Sequence, residues 1–204
     1  MAGLERVREV RERLLAGGDV LPVAIGPMEG SALRDWVRRE GARRTIETGL
    51  GYAISTLFIC EGLLANGSGG RHVAIDPNRL ESLDTLEDAG VRGLVEFHAE
   101  ESETVLPRLL SEGRRFDLAF IDGNHRFEGV FLDLIYCGRL LDPGAVIFVD
   151  DTQLPAIGRA VSFCVSNLGW MIKDEGREGE HEWVVLRTGP PEAFHRPFES
   201  FVEF

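Results

Sequence analysis

Apolar residues recur along the chain in two periods, and the switch between them lays out its elements. Leu4, Val7, Val10, Leu14 and Leu15 stand three and four apart with charges between, which predicts a helix over Leu4–Leu15 closed by Gly17-Gly18-Asp19. Leu21–Pro27 has no regular pattern. Ser31 is a candidate N-cap for a second helix over Ala32–Arg39, with Leu33, Trp36 and Val37 as its buried stripe. Short apolar runs then read as strands: Thr45–Thr48, Val73–Asp76, Val95–His98, Phe116–Ile121 and Val146–Val149. Between them lie helical runs at Ile54–Leu64, Arg79–Ala89, Ser102–Leu110 and Gly129–Leu141, with Pro155–Leu168 after the last; Gly90 and the turn Asp142-Pro143-Gly144 act as stops. Trp170–Ile172 and Trp183–Leu186 follow each other directly, with a charged, glycine-containing loop, Asp174–Glu182, between them. The pattern predicts an α/β fold: a seven-stranded, mostly parallel sheet with helices on both faces and an antiparallel C-terminal hairpin. No repeat or linker interrupts it. We therefore expect one domain over 1–204, made of N-terminal helices (1–40), a core (44–188) and a tail (189–204).

The chain is organised around Thr45-Ile46-Glu47-Thr48-Gly49-Leu50-Gly51-Tyr52-Ala53. A strand that ends in glycines and turns into a helix exposes unpaired helix N–H groups, and these favour a polar or anionic ligand. Gly49 and Gly51 permit the sharp turn and close approach of a ligand. Dinucleotide folds use G-x-G-x-x-G at this place, but Ile54 occupies the third glycine position. Glu47, just before the glycines, repels phosphate and can receive hydroxyls or an amino group.

Acids also end the other strands. Glu47, Asp76, Glu100-Glu101, Asp122 and Asp150-Asp151 finish or follow five predicted strands, where an open α/β sheet places its ligand crevice. Each alone could cap a helix or line a solvated turn. Together on one rim they would repel one another unless they bind something.

Composition narrows the partner. With 34 acids against 22 bases the net charge is −12, a field that opposes nucleic acid and leaves a small molecule as the expected partner. No run approaches the ~20 apolar residues of a membrane span, and the mixed Glu and Arg of Met1–Arg13 do not resemble a signal peptide. Cys60, Cys137 and Cys164 are widely spaced and read as reduced, packed thiols of a cytoplasmic protein. The tail Gly189–Phe204, with three prolines and four phenylalanines, could dock on the body, cover a site or join a homodimer.

From Glu29 to Leu186 the chain resembles the small class I S-adenosylmethionine-dependent methyltransferases, similar to the catechol, caffeoyl-CoA and macrocin-type O-methyltransferases. Their Rossmann-like fold carries an acid before a glycine-rich loop, an acid ending strand 2, a pair followed by Val-Leu-Pro after strand 3, and an Asp-Pro-Gly turn before strand 5. Here these match Glu47, Gly49 and Gly51; Asp76; Glu101-Ser102 before Val105-Leu106-Pro107; and Asp142-Pro143-Gly144. Ala53 stands where a further glycine is usual. The resemblance implies a cofactor, S-adenosylmethionine, held by Glu47, Gly49, Gly51, Tyr52, Asp76, Glu101, Ser102 and Asp122, with Asp76 on the ribose hydroxyls. It also implies a site for Mg²⁺ or another divalent cation at Asp122, Asp150 and Asp151. Otherwise Asp122 lines a metal-free pocket and Asp151 caps the next helix. His125, three residues past Asp122, stands where catechol-type members have a catalytic lysine; it and Asp122 are the candidate catalytic residues. His125 could equally be a solvated loop residue, while His72, His98, His181 and His195 read as structural or solvated. The implied activity is methyl transfer to a hydroxyl of a small acceptor. An NAD-dependent oxidoreductase and a non-catalytic cofactor-binding module are the alternatives.

Overall fold

The computed structural model describes residues 2–17, 24–67, 69–78 and 82–204; Gly18, Asp19, the first three residues of Leu21–Pro27 and the start of the Arg79–Ala89 helix lie outside them. In chain order the elements are α1 (Ala2–Gly17), α2 (Pro27–Arg39), β1 (Arg44–Thr48), α3 (Ile54–Ala65), β2 (Arg71–Ile75), α4 (Ser82–Asp88) and β3 (Val95–His98). Then come α5 (Ser102–Ser111), β4 (Phe116–Ile121), α6 (Phe127–Leu140), β5 (Leu141–Val149), α7 (Pro155–Leu168), β6 (Met171–Glu178) and β7 (His181–Arg187). The strands form one sheet in the order β3-β2-β1-β4-β5-β7-β6. β1, β2 and β3 pair in parallel, as do β4 and β5, while β7 runs antiparallel to β5 and β6. This is the Rossmann-like, mostly parallel sheet with a terminal hairpin that the apolar pattern predicts. No described helix is long and apolar enough to cross a membrane.

The chain divides into two compact units, Met1–Glu101 and Ser102–Phe204. In the first, α3 is buried from Ile54 to Leu63, including Ser55, Thr56 and Glu61. A helix enclosed on all sides needs cover on every face. α1 supplies some through Val7 and Val10, which join Leu57, Cys60, Ala74 and Leu86 in one core. α2 packs close because Gly30 leaves room for the Phe58 ring and Gly62 for Val37. Glu61, inside this assembly, is answered by Arg11 and by Arg8 at 2.7 Å, so the mixed charges of α1 have a packing role.

In the second unit Phe120 and Phe148 meet edge-on, and Phe148 stacks on Trp183. The tail docks on α7: Asn167 both donates to the Val202 carbonyl at 2.8 Å and accepts its N–H at 2.9 Å, and Arg196 lies over the Phe163 ring. Of the three roles open to the tail, docking is the one seen.

Three boundaries differ from the sequence reading. Ser31 is not a cap: α2 already begins at Pro27, whose fixed φ and missing N–H suit the first helical position, after Gly26. The Asp142-Pro143-Gly144 turn lies within β5, as a register jump between the pairs Phe116↔Leu141 and Leu118↔Val146, with Gly144 at φ 77°. Finally, most of the charged loop Asp174–Glu182 is strand. β6 reaches Glu178 and β7 starts at His181, with Gly179 at φ 66° making the turn. β6 is the sheet's edge and its side chains are mostly exposed, so charge is suited to it; Lys173, Asp174, Glu175, Arg177 and Glu178 discourage further pairing.

Candidate active site

In the first unit the chain leaves β1 through Gly49 at φ 90°, Gly51 at φ 47° and Ala53 at φ 66°, then enters α3. Glycine takes this left-handed backbone freely. Alanine pays roughly 1–2 kcal/mol for it, so Ala53 holds the conformation for which the related loops use glycine. The loop is stitched to β2. The Gly49 N–H donates to the Ile75 carbonyl at 2.9 Å, and the Leu50 and Gly51 N–H groups donate to Asp76 Oδ2 at 2.9 and 3.0 Å. Asp76 Oδ1 accepts the Asn78 N–H at 2.8 Å. A carboxylate offers about four acceptor positions, so these bonds leave one, on Oδ1, for a ligand hydroxyl. Reception of both ribose hydroxyls would require the loop to release an N–H.

Glu47 is fully enclosed. Ser55 Oγ donates to its Oε2 at 3.0 Å and Thr56 Oγ1 donates to its Oε1, so its charge organises the first turn of α3. His72 Nε2 lies 3.1 Å from Oε1 but out of line for a hydrogen bond, while its Nδ1 pairs with Thr45 Oγ1 at 2.8 Å. His72 is thus a core histidine, as the sequence suggests. Tyr52 is half-buried in the loop and Glu101 is exposed.

In the second unit, Ser102 opens α5 and is half-buried. β4 delivers Asp122, and the loop Gly123-Asn124-His125 is tied by the Arg126 N–H to Asn124 Oδ1 at 3.0 Å. Gly129 lets the Asn124 side chain rest against α6, where a Cβ would collide with it. His125 Nε2 then stands 3.4 Å from both Asp122 Oδ1 and Asp151 Oδ2. Among the described residues Asp122, His125 and Asp151 form one group of donor atoms, all within 4.8 Å of one another. This set differs from the expected Asp122, Asp150 and Asp151. Asp150 is buried and its Oδ1 accepts the Asp151 N–H at 2.5 Å.

The site is short of positive charge. Burial, with the charges of Asp150 and Asp151, pushes the Asp122 carboxyl up to about 7, against the opposing bond from His125. The imidazole of His125 is raised in turn, first by its bond to Asp122 and then, against burial, by the charges of Asp122, Asp151 and Asp150. Such a cluster stabilises whatever cation enters it, a proton included.

Asp151 is itself unusual, a non-glycine residue at φ 54°. Gln153 Nε2 and His181 Nδ1 donate to its Oδ1 at 2.7 and 3.0 Å. Nothing in the sequence singled these two out, because His181 fell in a predicted loop and glutamine has no signature spacing. A cavity of about 410 Å³ adjoins this corner, walled by Val161, Ile172, Trp183 and Val184 and sharing Thr152 and Glu182 with it.

The first unit thus carries a glycine loop tied to an acid, the second a carboxylate–imidazole cluster, and both belong to an α/β fold with a mostly parallel sheet. The chain belongs to the methyltransferase-domain family, whose model matches residues 46–152. It is similar to the O-methyltransferase TomG of Streptomyces achromogenes, solved in complex with SAM, at 20% identity and TM-score 0.75, covering 92% of this chain and 90% of that one. It is also similar to an O-methyltransferase of Bacillus cereus, in complex with SAH, at 21% identity and TM-score 0.72 (92% and 91% covered), and to a putative O-methyltransferase of Klebsiella pneumoniae at 19% and 0.74 (92% and 90%). No curated protein matches the sequence. The protein is a methyltransferase, and the family resemblance read from Glu29 to Leu186 is borne out by a match over residues 46–152.

Proposed function

We propose that the protein transfers a methyl group from S-adenosylmethionine to a hydroxyl of a small molecule. The observation that carries the acceptor's chemistry is the imidazole of His125 between Asp122 and Asp151, a proton acceptor held by two acids. In such a transfer the hydroxyl oxygen would take the sulfonium methyl, the S–CH₃ bond would break to leave neutral S-adenosylhomocysteine, and the hydroxyl proton would pass to the His125 imidazole, whose Nε2 faces the two acids. The activated sulfonium needs no covalent enzyme intermediate, so the rate comes from positioning and proton removal.

The cofactor reading rests on the family and on the loop Gly49–Ala53 with Asp76, whose remaining Oδ1 position suits a ribose hydroxyl. The TomG and B. cereus proteins, solved with SAM and SAH, support the same ligand here. The donor set also fits a hard divalent cation, because two carboxylates and an imidazole converge and Asp122 is disfavoured as an uncompensated anion. Asp122, Asp151 and His125 would hold it, with Asp150 close by. When bound, it supplies positive charge that lowers the pKa of a hydroxyl nearby. If His125 is a ligand, proton removal falls to another group; if it is the base, the cation rests on the acids alone. The cavity beside Thr152, whose wall joins apolar Val161 and Trp183 to charged Glu175 and Arg177, offers room for the body of the acceptor. Buried free thiols at Cys60, Cys137 and Cys164 support a reducing, cytoplasmic setting.

Calorimetry with S-adenosylhomocysteine and with NAD tests the cofactor. Binding of the former alone is expected, and preference for NAD would refute the reading. Labelled-methyl transfer to a panel of hydroxylated and amino compounds tests the acceptor, with label on nitrogen alone being the refuting result.

A further inference from the structure

We infer that Gln153 and His181 are positioning residues that fix the Asp151 carboxylate so that Oδ2 faces His125 and Asp122. The inference rests on the proposed role of that cluster but names residues outside it.

The two oxygens of Asp151 have different surroundings. Oδ1 accepts from Gln153 Nε2 at 2.7 Å and from His181 Nδ1 at 3.0 Å, which fills its two lone-pair directions. Oδ2 is the oxygen 3.4 Å from His125 Nε2. The carboxylate is therefore divided, one oxygen anchored and the other presented.

The anchors are themselves constrained. Gln153 Oε1 accepts the Glu182 N–H at 2.8 Å, so its amide cannot reverse without facing one donor with another. The Thr152 N–H donates to the Glu182 carbonyl at 2.8 Å and the Leu154 N–H to the Asp151 carbonyl at 2.9 Å. The residues after β5 are thus sewn to the start of β7. That sewing holds Asp151 in a left-handed conformation that a non-glycine residue rarely adopts. A plain surface turn would have no need to hold an aspartate there with two side-chain donors. The β6–β7 hairpin acts as a brace for one acid of the cluster, which gives His181 a task beyond solvation. Outer partners of this kind typically change cation affinity by 10–100-fold when removed.

Two measurements on the intact protein test this. The first is Mn²⁺ titration of wild type, Gln153→Ala, His181→Leu and His181→Asn. Asparagine can place its Nδ2 where His181 has Nδ1, so it should keep wild-type affinity, while Gln153→Ala and His181→Leu should each weaken Mn²⁺ about tenfold or more. S-adenosylhomocysteine affinity should stay unchanged in all of them. The second is the metal-free crystal structure of the Gln153→Ala/His181→Leu double variant, in which Asp151 should turn and Oδ2 should leave His125. Wild-type Mn²⁺ affinity in both single variants, or an unmoved Asp151 in the double variant, would overturn the inference. If wild type itself binds no Mn²⁺, the cation reading falls, and the crystal structure alone decides whether Gln153 and His181 position Asp151.

Discussion

Replacing Asp76 by alanine should damage the protein twice. The carboxylate accepts N–H groups from Leu50 and Gly51, and the Leu50 side is buried, so alanine leaves at least one donor with poor access to water. Hydrogen bonds to charged acceptors contribute about 1.5–3 kcal/mol each. Because water can reach half-buried Gly51, we expect a loss of about 2–4 kcal/mol without any ligand. For a chain of this size each kcal/mol lowers Tm by roughly 2–4 °C, which gives a fall of about 5–15 °C. The second loss is cofactor affinity, through the freed loop and the missing Oδ1 acceptor. It should exceed tenfold, or about 1.4 kcal/mol.

Asp76→Asn separates the two effects. Its single oxygen can serve the Leu50 and Gly51 donors, so its melting should stay near wild type. Its amide then faces the Asn78 N–H and the ligand, so affinity should still fall. Thermal melts of the ligand-free proteins and calorimetry with S-adenosylhomocysteine measure each part. An alanine variant that melts like wild type would refute the loop-anchoring role. Equal affinity in all three proteins would refute the ligand role.

Further predictions concern neighbouring features. Ala53→Gly should relieve left-handed strain and raise stability by up to ~1 kcal/mol in urea melts, whereas Ala53→Val should lower it; the reverse order would show that packing outweighs backbone strain there. Burial opposes the charge of Glu61, but bonds from Arg8 and Arg11 and the charges of Arg11 and Arg34 outweigh it and lower its pKa. Its stabilising effect is then complete above the unfolded value of about 4.3 and lost as pH falls through the lower folded value. Glu61→Gln, which leaves buried Arg11 uncompensated, should cost about 3–5 kcal/mol at pH 7 and show less loss on acidification; parallel stability–pH curves would contradict this. His125→Ala should reduce labelled-methyl transfer about 10²-fold with S-adenosylhomocysteine affinity unchanged. Because the His125 pKa is raised, the base form and hence turnover should increase with pH on the alkaline side of the ordinary histidine value, and undiminished turnover in the variant would remove it from the mechanism.

The parallel strands were legible because buried ones such as Ile46–Thr48 and Phe116–Ile121 are short apolar runs between helical periods, and their burial imposes that pattern, whereas their order in the sheet was not read from the sequence. The start of β6 at Met171-Ile172 was also legible, but its charged continuation to Glu178 was not, since an edge strand carries charge on purpose and then looks like a loop. Asp122 and His125 could be paired from the sequence because they share one loop. The meeting of His181 with Asp151, at 3.0 Å, depends on the antiparallel pairing of β7 with β5, Val149↔Val184, that no local spacing records. Gly30 posed a similar problem: a glycine inside a helix suggests a boundary, until the Phe58 ring is seen occupying the place of its Cβ.

The acids at the strand ends, alike in the sequence, divide by what answers their charge. Glu47 is met by two hydroxyls and Asp76 by three N–H groups, so both are satisfied by the protein and shape the glycine loop before any ligand arrives. Among the described residues the Asp122 carboxylate meets a long 3.4 Å contact from His125, and its pKa is displaced upward to about 7, the mark of an acid whose charge is poorly compensated. Asp151 lies between these cases, with Oδ1 anchored and Oδ2 turned to the cluster. A carboxylate fully served by its own chain gains little from a cation, whereas one left in deficit gains much. Ligand-dependent chemistry should therefore concentrate at Asp122, His125 and Asp151, and the order of cation effects on melting should follow: Asp122→Asn and Asp151→Asn should each abolish most of a Mn²⁺-induced rise in Tm, while Asp76→Asn should leave that rise intact. A rise lost equally in all three would mean that the division by local compensation is wrong.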